Sequence, residues 1–228
     1  KSALAGLDLG GGKAVIIGDA RTQKTEAMFR RFGRFVDSLN GRYITAEDVG
    51  MSTADMVNIR KETRHVAGLP IEVGGSGDPS PVTAYGVFCG MRAAAKTAFG
   101  KDSLSGRKVA IQGGGNVGRH LAGYLVKDGA IVFITDIHED KLAAIKAEHP
   151  AVNLVKPDAI YGLDVDIYSP CALGATVNDE TLAKLKCSVI AGAANNQLAD
   201  EKKHGVAVME KGMLYAPDFL INAGGIIN

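Results

Sequence analysis

The clearest indication of the fold is the sequence KVAIQGGGNVGRHLAGYLVKDGAIVFITD, residues 108–136. An apolar run of strand type precedes three glycines, a helical pattern follows them, and a second apolar run ends at Asp136. Gly113, Gly115 and Gly118 match the G-x-G-x-x-G spacing of dinucleotide-binding loops. In that pattern the first glycine permits a tight turn, the second lets a pyrophosphate approach the backbone, and the third lets the helix pack closely on the strand.

Asp136 stands where such folds carry the carboxylate that accepts hydrogen bonds from the adenosine ribose. A carboxylate at this place repels a 2′-phosphate, so the pattern predicts NAD as the cofactor rather than NADP. The helix N-terminus adds free N–H groups for the pyrophosphate. The predicted cofactor-binding residues of this loop are Gly113, Gly114, Gly115, Asn116, Val117, Gly118 and Arg119. The alternative is a glycine-rich turn that binds nothing, with Asp136 capping the next helix.

Further apolar runs, VDIYS, SVIAGAA and MLYAPDFLINA, alternate with helical segments. This alternation predicts an α/β fold with a Rossmann-type doubly wound parallel sheet covered by helices on both faces. Ligands of such sheets bind beyond the carboxyl ends of the strands, where Ala193, Asn195 and Asn222 are predicted contacts. Taken alone, each asparagine is equally compatible with an ordinary polar loop.

The first part of the chain predicts a smaller α/β domain. KAVIIG and RYITAEDV have strand-like composition, and TEAMFRRFGRFVDSL has the spacing of an amphipathic helix. The sequence EVGGSGDPSP is rich in turn residues and predicts a connection between packed units. We therefore expect a partial substrate domain at 1–73, a hinge at 74–81 and an NAD-binding Rossmann domain at 82–228.

Lys13 follows three glycines and precedes an apolar run, in GLDLGGGKAVIIG. The sequence predicts an apolar, partly dry setting in which desolvation, aided by a second cation such as Lys1, lowers the lysine pKa toward neutrality. A lysine of that kind can act as a base. A solvated lysine on a glycine turn is the alternative. Glu47 and Asp48 end a strand-like run and either relay protons or complement the dipole of the next helix.

Composition excludes several classes of function. Lys plus Arg number 26 and Asp plus Glu 25, so the net charge of +1 gives no reason to expect a nucleic acid or an acidic membrane as partner. No apolar run is long enough to span a bilayer. Three scattered cysteines predict neither disulfides nor a metal site, and they favour a reducing cytoplasm. No metal cofactor is expected.

Six ordered motifs carry a resemblance to a known family: GLDLGGGKAVI, TAEDVGMSTADM, GDPSPVTAYGV, GGGNVG, SPCALGA and NAGGIIN. They closely resemble the amino-acid dehydrogenases of the glutamate, leucine, phenylalanine and valine group, and are most similar to its leucine-type members. The resemblance extends over the whole chain. Family members continue further at both ends, so the resemblance implies a sequence that is truncated at both ends.

The resemblance also implies roles for single residues. Lys13 corresponds to the catalytic lysine that activates water, and Asp48 to its acid–base partner at the amino nitrogen. Lys1 corresponds to the lysine that binds the substrate carboxylate. Thr83 matches a residue beside the nicotinamide, and Asn222 matches one that bridges cofactor and substrate. None of these roles follows from composition or spacing.

The predicted function is the NAD-dependent, reversible oxidative deamination of a branched-chain L-amino acid to its 2-oxo acid, ammonia and NADH. L-Leucine is the expected substrate, and valine, phenylalanine or glutamate are the alternatives within this chemistry. From another class, a dinucleotide-binding module without catalysis stays open. The resemblance further implies a homo-oligomer.

Overall fold

Six parallel strands form the sheet of the computed structural model, which describes residues 1–228. The contacts divide the chain into two units. The larger unit contains Ser80–Ile227 with Lys1 and Ala3–Ala5, and the smaller contains Gly6–Pro79 with Ser2 and Asn228.

The strands of the larger unit lie in the order β3-β2-β1-β4-β5-β6. They are β1 (Lys108–Gln112), β2 (Ile131–Thr135), β3 (Asn153–Leu154), β4 (Ile167–Pro170), β5 (Val189–Ile190) and β6 (Leu214–Tyr215). All neighbouring strands are parallel, and Val109 of β1 lies opposite both Val132 and Ile167. The order reverses at β1, so the space beyond the ends of β1 and β4 is the topological switch point where doubly wound sheets bind ligands.

Helices cover both faces of this sheet. They are α3 (Ser80–Phe99), α4 (Asn116–Lys127), α5 (Glu139–Glu148), α6 (Asp179–Lys184), α7 (Glu201–Glu210), α8 (Asp218–Ile221) and α9 (Gly224–Ile227). Val109 and Ile111 of β1 belong to the core on one face, whereas Ala110 belongs to the core on the other. Because β1 is buried on both faces, its sequence is continuously apolar rather than alternating. No helix is both long and apolar enough to cross a membrane.

The smaller unit contains two helices, α1 (Glu26–Ser38) and α2 (Thr53–Arg60). Thr25 caps α1 through a side-chain bond to the Met28 N–H, and Ser52 forms a capping box with Asp55 at the start of α2. The core of this unit is Phe29, Met56, Ile59 and Leu69. Its one pair of extended segments meets at an isolated parallel bridge between Thr45 and Val66.

Three local expectations were wrong. KAVIIG forms no strand, and Val15 and Ile17 are exposed, because no other segment of this unit hydrogen-bonds to it. MLYAPDFLINA forms only the short β6 before Pro217, which precedes α8 and has no N–H for a ladder. RYITAEDV forms no strand either, and only its Thr45 takes part in an isolated bridge, with Val66.

Candidate active site

At two of its glycines, the loop after β1 makes contacts that leave no space for a side chain. Gly113 has φ +117°, and a Cβ on it would lie 2.7 Å from the backbone nitrogen of Ala172. A Cβ on Gly118 would lie 2.0 Å from the carbonyl oxygen of Gly113. A Cβ on Gly115, in contrast, would meet nothing within 4 Å. Two of the three glycines are therefore required by the fold, and the third faces open space.

The same loop leaves the start of α4 open. Gly115 is the N-cap residue and offers no side chain to the first N–H groups, which belong to Asn116, Val117 and Gly118. A helix N-terminus without a side-chain cap presents free donors and the positive end of the helix dipole. These are the donors that bind a pyrophosphate.

Asp136 lies directly after β2 and contacts this loop. Its Oδ2 accepts a hydrogen bond from the Gly114 N–H at 2.8 Å, and its Oδ1 accepts one from the His138 N–H at 2.9 Å. The N-cap of α5 is His138, so Asp136 does not cap that helix itself. The carboxylate is thereby fixed beside the glycine loop, where a ribose bound at this loop would reach it.

The loops after β4 and β5 are locked together. A Cβ on Gly174 would lie 2.5 Å from the carbonyl oxygen of Asn195. The Ala175 N–H donates to the Asn196 carbonyl at 2.7 Å, and both residues have left-handed backbones, with φ of +62° and +51°. Non-glycine residues in that conformation are strained and cluster at functional sites. The backbone of Asn195 is therefore held in one place.

Asn195 is the centre of a polar chain. Its Oδ1 accepts from Lys1 Nζ at 3.1 Å and from Asn222 Nδ2 at 2.8 Å. Asn222 is buried and also donates to the Ala193 carbonyl at 2.9 Å, while its own Oδ1 has no hydrogen-bond partner. The structure thus brings together Lys1 and Asn222, which are predicted to bind the substrate, with Ala193 and Asn195, which are predicted to bind the cofactor.

Thr83 lies in the first turns of α3, next to the NAGG segment. A Cβ on Gly224 would lie 2.4 Å from the carbonyl oxygen of Val82 and 3.0 Å from the Thr83 Cα. Gly224 therefore lets the segment that carries Asn222 pack against the start of α3.

Lys13 and Asp48 form an ion pair within the smaller unit. The Asp48 carboxylate also accepts a hydrogen bond from the Val49 N–H at 2.8 Å. The setting differs from the expected one, because 69% of the Lys13 side chain is exposed. The following Val15 and Ile17 do not cover it, since both are themselves exposed. The expected dry environment was wrong, whereas the meeting of the two candidate catalytic side chains is found.

Glu47 is half-buried beside Asp48 in the sequence. Burial, and next the negative charge of Asp78, raise the pKa of Glu47 to about 7, with a smaller opposing effect from Lys24. Lys24 is itself paired with Asp55, Nζ to Oδ2, at 2.5 Å. Glu47 therefore exchanges a proton near neutral pH, one residue away from a candidate acid–base group.

Two side chains near the predicted cofactor site, those of Arg119 and Cys171, have structural contacts instead of a free position. Arg119 Nε is 2.5 Å from Glu148 Oε2, so its guanidinium pairs with the end of α5. Cys171 lies after β4, and burial raises the pKa of its thiol. Because the thiolate is the nucleophilic form, Cys171 is a packing residue here.

Sequence reasoning missed two residues that shape the site. Gln197 is fully buried, and its Nε2 donates to the carbonyls of Gly192 and Ala194 at 2.8 and 3.0 Å, which holds the loop that carries Asn195. Tyr43 packs its ring against Gly12. A glutamine next to two asparagines was a visible signal, whereas nothing in the sequence marks the contact of Tyr43.

The residues of the glycine loop fit a dinucleotide. The open space at Gly115, the uncapped first turn of α4 and the fixed carboxylate of Asp136 lie at the switch point of the sheet. A cradle without side chains at a helix N-terminus, flanked by an acceptor for ribose hydroxyls, is what this class of ligand requires.

Comparisons with known proteins identify the family. A family model described as "Glutamate/Leucine/Phenylalanine/Valine dehydrogenase" matches residues 74–228, and one described as "Glu/Leu/Phe/Val dehydrogenase, dimerisation domain" matches residues 1–65. The chain is 57% identical over 228 residues to a leucine dehydrogenase of Thermoactinomyces intermedius, covering 100% of this chain and 62% of that protein.

Other relatives act on aromatic amino acids. A phenylalanine dehydrogenase of Lysinibacillus sphaericus is 50% identical over 231 residues, which cover 100% of this chain and 60% of that protein. The crystal structure of L-tryptophan dehydrogenase from Nostoc punctiforme matches with a TM-score of 0.76 at 44% identity, covering 100% of this chain and 64% of that one. The chain spans less than two thirds of the length of these relatives. It belongs to the glutamate, leucine, phenylalanine and valine dehydrogenase family.

Proposed function

We propose that the protein containing this chain catalyses the NAD-dependent, reversible oxidative deamination of an aliphatic L-amino acid, foremost L-leucine. The observation that carries the proposal is the ion pair of Lys13 with Asp48. The pair joins a carboxylate, which can exchange a proton with the substrate amino nitrogen, and an amine, which can accept a proton from water. Relatives named leucine dehydrogenase are 56–57% identical to the chain, against 47–50% for those named phenylalanine dehydrogenase, which favours leucine.

The glycine loop and Asp136 would hold the cofactor. The N–H groups at the start of α4 would bind the pyrophosphate, and the carboxylate would accept hydrogen bonds from the ribose. Bound NAD supplies the acceptor for the hydride that leaves the substrate α-carbon. The negative charge of Asp136 favours NAD over a cofactor with a 2′-phosphate.

Lys1 would bind the substrate carboxylate, Asn222 would contact the substrate and Asn195 the cofactor. Lys1 brings a positive charge and donors, and it already contacts Asn195 Oδ1. Asn222 holds Asn195 from the other side, which fixes the amide. This arrangement orients the α-carbon but takes no part in proton transfer.

Asp48 and Lys13 would manage the protons. Asp48 accepts a proton from the substrate ammonium, so that hydride loss from the α-carbon leaves an iminium. Water attacks that carbon and gives a proton to Lys13, which passes it to solvent. The nitrogen takes a proton back from Asp48, and it departs as ammonia while Lys13 accepts the proton of the carbinol hydroxyl, which leaves the 2-oxo acid. Lys13 must first release its proton to solvent to act as the base, because Asp48 has to be ionised to accept the proton of the substrate ammonium.

We also propose a homo-oligomer in the cytoplasm. The model that matches residues 1–65 is described as a dimerisation domain. Cys89, Cys171 and Cys187 are free thiols, as in proteins of a reducing compartment.

The test is NADH formation by the full-length protein with L-leucine, L-valine, L-phenylalanine or L-glutamate. We expect the highest kcat/KM with L-leucine and no NADH without an amino acid. NAD binding without NADH formation from any of the four would refute the proposal and leave a binding module.

A further inference from the structure

The three glycines before Lys13 are not equivalent. A Cβ on Gly10 or Gly11 would meet nothing within 4 Å. A Cβ on Gly12 would lie 3.0 Å from Cδ2 and 3.1 Å from Cε2 of Tyr43. Real Cβ atoms rarely approach other atoms so closely, so the ring of Tyr43 packs directly on the backbone at Gly12. Within the smaller unit, only the last of the three glycines is required by a neighbouring side chain.

Tyr43 belongs to an anchored segment. Two residues later the buried Thr45 donates from its N–H to the His65 carbonyl at 3.1 Å and accepts from the Ala67 N–H at 2.8 Å. These two bonds form the only β-bridge of the smaller unit. The segment then continues directly to Asp48.

The ring therefore joins the two backbones that carry the candidate catalytic pair. The ring of Tyr43 contacts Gly12, which directly precedes Lys13 in the chain. The backbone of Tyr43 belongs to the segment that continues to Asp48. Lys13 has little else to hold it, because its side chain is exposed and its segment forms no strand. A half-buried aromatic ring is rigid and loses little entropy on packing, which suits it to fixing a loop.

We propose that Tyr43 is a positioning residue, whose ring on Gly12 sets the place of the Lys13 amine relative to Asp48. The proposal rests on the proposed function, since it concerns the geometry of that reaction. The ring carbons make the contact, so the hydroxyl is dispensable. Tyr43 touches neither substrate nor cofactor in this account and acts only through Lys13.

The experiment is a double-mutant cycle in the full-length protein, with kcat and KM measured as NADH formation from L-leucine. We expect Tyr43→Ala to lower kcat at least about tenfold with little change in KM, because displacing a catalytic group by a fraction of an ångström is costly. Tyr43→Phe keeps the ring and should retain kcat within about twofold. In the Lys13→Ala background, Tyr43→Ala should cost less than about twofold, because the group through which it acts is gone.

Phe32→Ala is the matched control. Phe32 is a partly buried ring that packs on the core of the same unit, and its removal should lower the melting temperature without the kcat effect. If Tyr43→Ala fails to fold, Gly12→Ala replaces it in the cycle, since its Cβ displaces the same ring by a few tenths of an ångström.

The outcomes separate the proposal from the function it rests on. Two results would overturn the positioning role while leaving the dehydrogenase activity intact. The first is an equal loss of kcat from Tyr43→Ala in the wild-type and Lys13→Ala backgrounds. The second is an unchanged kcat of Tyr43→Ala in the protein that retains Lys13. A wild-type protein that forms no NADH from any amino acid would overturn the proposed function and this inference with it.

Discussion

Lys13 forms an ion pair with Asp48 inside the smaller unit, and both side chains remain open to solvent. An exposed pair of this kind contributes little to stability, because water screens both charges. The proposed function uses the pair for chemistry instead, since an accessible amine and an accessible carboxylate can each exchange protons with a substrate.

Asp48→Asn tests the carboxylate while keeping the size of the side chain. Asparagine cannot accept a proton from the substrate nitrogen, so we expect kcat to fall at least about 10²-fold. The melting temperature should change little, because the pair is exposed. Asp37→Asn makes the same change at an exposed position of α1 and should leave kcat unaltered. A variant Asp48→Asn with wild-type kcat would remove Asp48 from the mechanism.

Gly118→Ala and Gly115→Ala separate folding from cofactor binding. The first places a Cβ 2.0 Å from the Gly113 carbonyl and should lower the free energy of unfolding by at least about 3 kcal/mol. The second places its Cβ in open space at a helix N-cap and should lower it by less than about 1 kcal/mol. We expect Gly115→Ala nevertheless to weaken NAD binding at least about tenfold, because the methyl group occupies the approach of the pyrophosphate. Urea unfolding and calorimetric titration with NAD measure both; unaltered NAD affinity in this variant would argue against the loop as the pyrophosphate site.

Asp136→Asn tests cofactor choice. The amide keeps the size of the side chain but removes the charge that repels a 2′-phosphate, so the ratio of kcat/KM for NADP to that for NAD should rise at least about tenfold. Asp140→Asn removes a charge from the exposed first turn of the following helix and should leave the ratio unchanged. Equal ratios in Asp136→Asn and wild type would show that other residues discriminate between the cofactors.

Glu47→Gln tests a pH dependence of stability. Burial and the charge of Asp78 raise the pKa of Glu47 from 4.5 to about 7, while Asp55 also raises it and Lys24 opposes both. The folded protein therefore keeps a proton that the unfolded chain releases, so this group's contribution to stability is lost as the pH rises through about 4.5 to 7. Glutamine mimics the protonated form and carries no charge at high pH.

Below about pH 4.5, we expect Glu47→Gln and the wild type to have the same free energy of unfolding in urea. Above about pH 7, the free energy of unfolding of the variant should be higher by about 1 kcal/mol, after allowance for solvent screening of a half-buried group. Glu72→Gln, at an exposed carboxylate, is the control and should have no such effect. The same difference between variant and wild type at both extremes of pH would contradict the raised pKa.

The nucleotide half of the fold was predictable because its signals are local. The strand, glycine loop, helix and acid of residues 108–136 follow each other along the chain, and Gly113 and Gly118 are required by contacts within this unit. The parallel sheet followed from continuously apolar strands alternating with helices, since only a sheet buried on both faces requires them.

The smaller unit was less predictable because its contacts are not local. A strand at KAVIIG requires a neighbouring segment to hydrogen-bond to, and the composition of KAVIIG does not show whether such a segment is present. The contact of Tyr43 with Gly12 joins two segments that no periodicity relates. The pairing of Lys13 with Asp48 was expected only through family resemblance, and the exposure of the lysine was not expected at all.

Deuterium transfer from L-leucine labelled at the α-carbon, followed by mass spectrometry of the NADH formed by the full-length protein, shows whether hydride leaves that carbon. Hydride loss from that carbon predicts NADH carrying one deuterium, together with the 2-oxo acid and ammonia in equal amounts. Unlabelled NADH, or labelled substrate returned unchanged in the presence of bound NAD, would contradict the account of this chain as part of an amino-acid dehydrogenase.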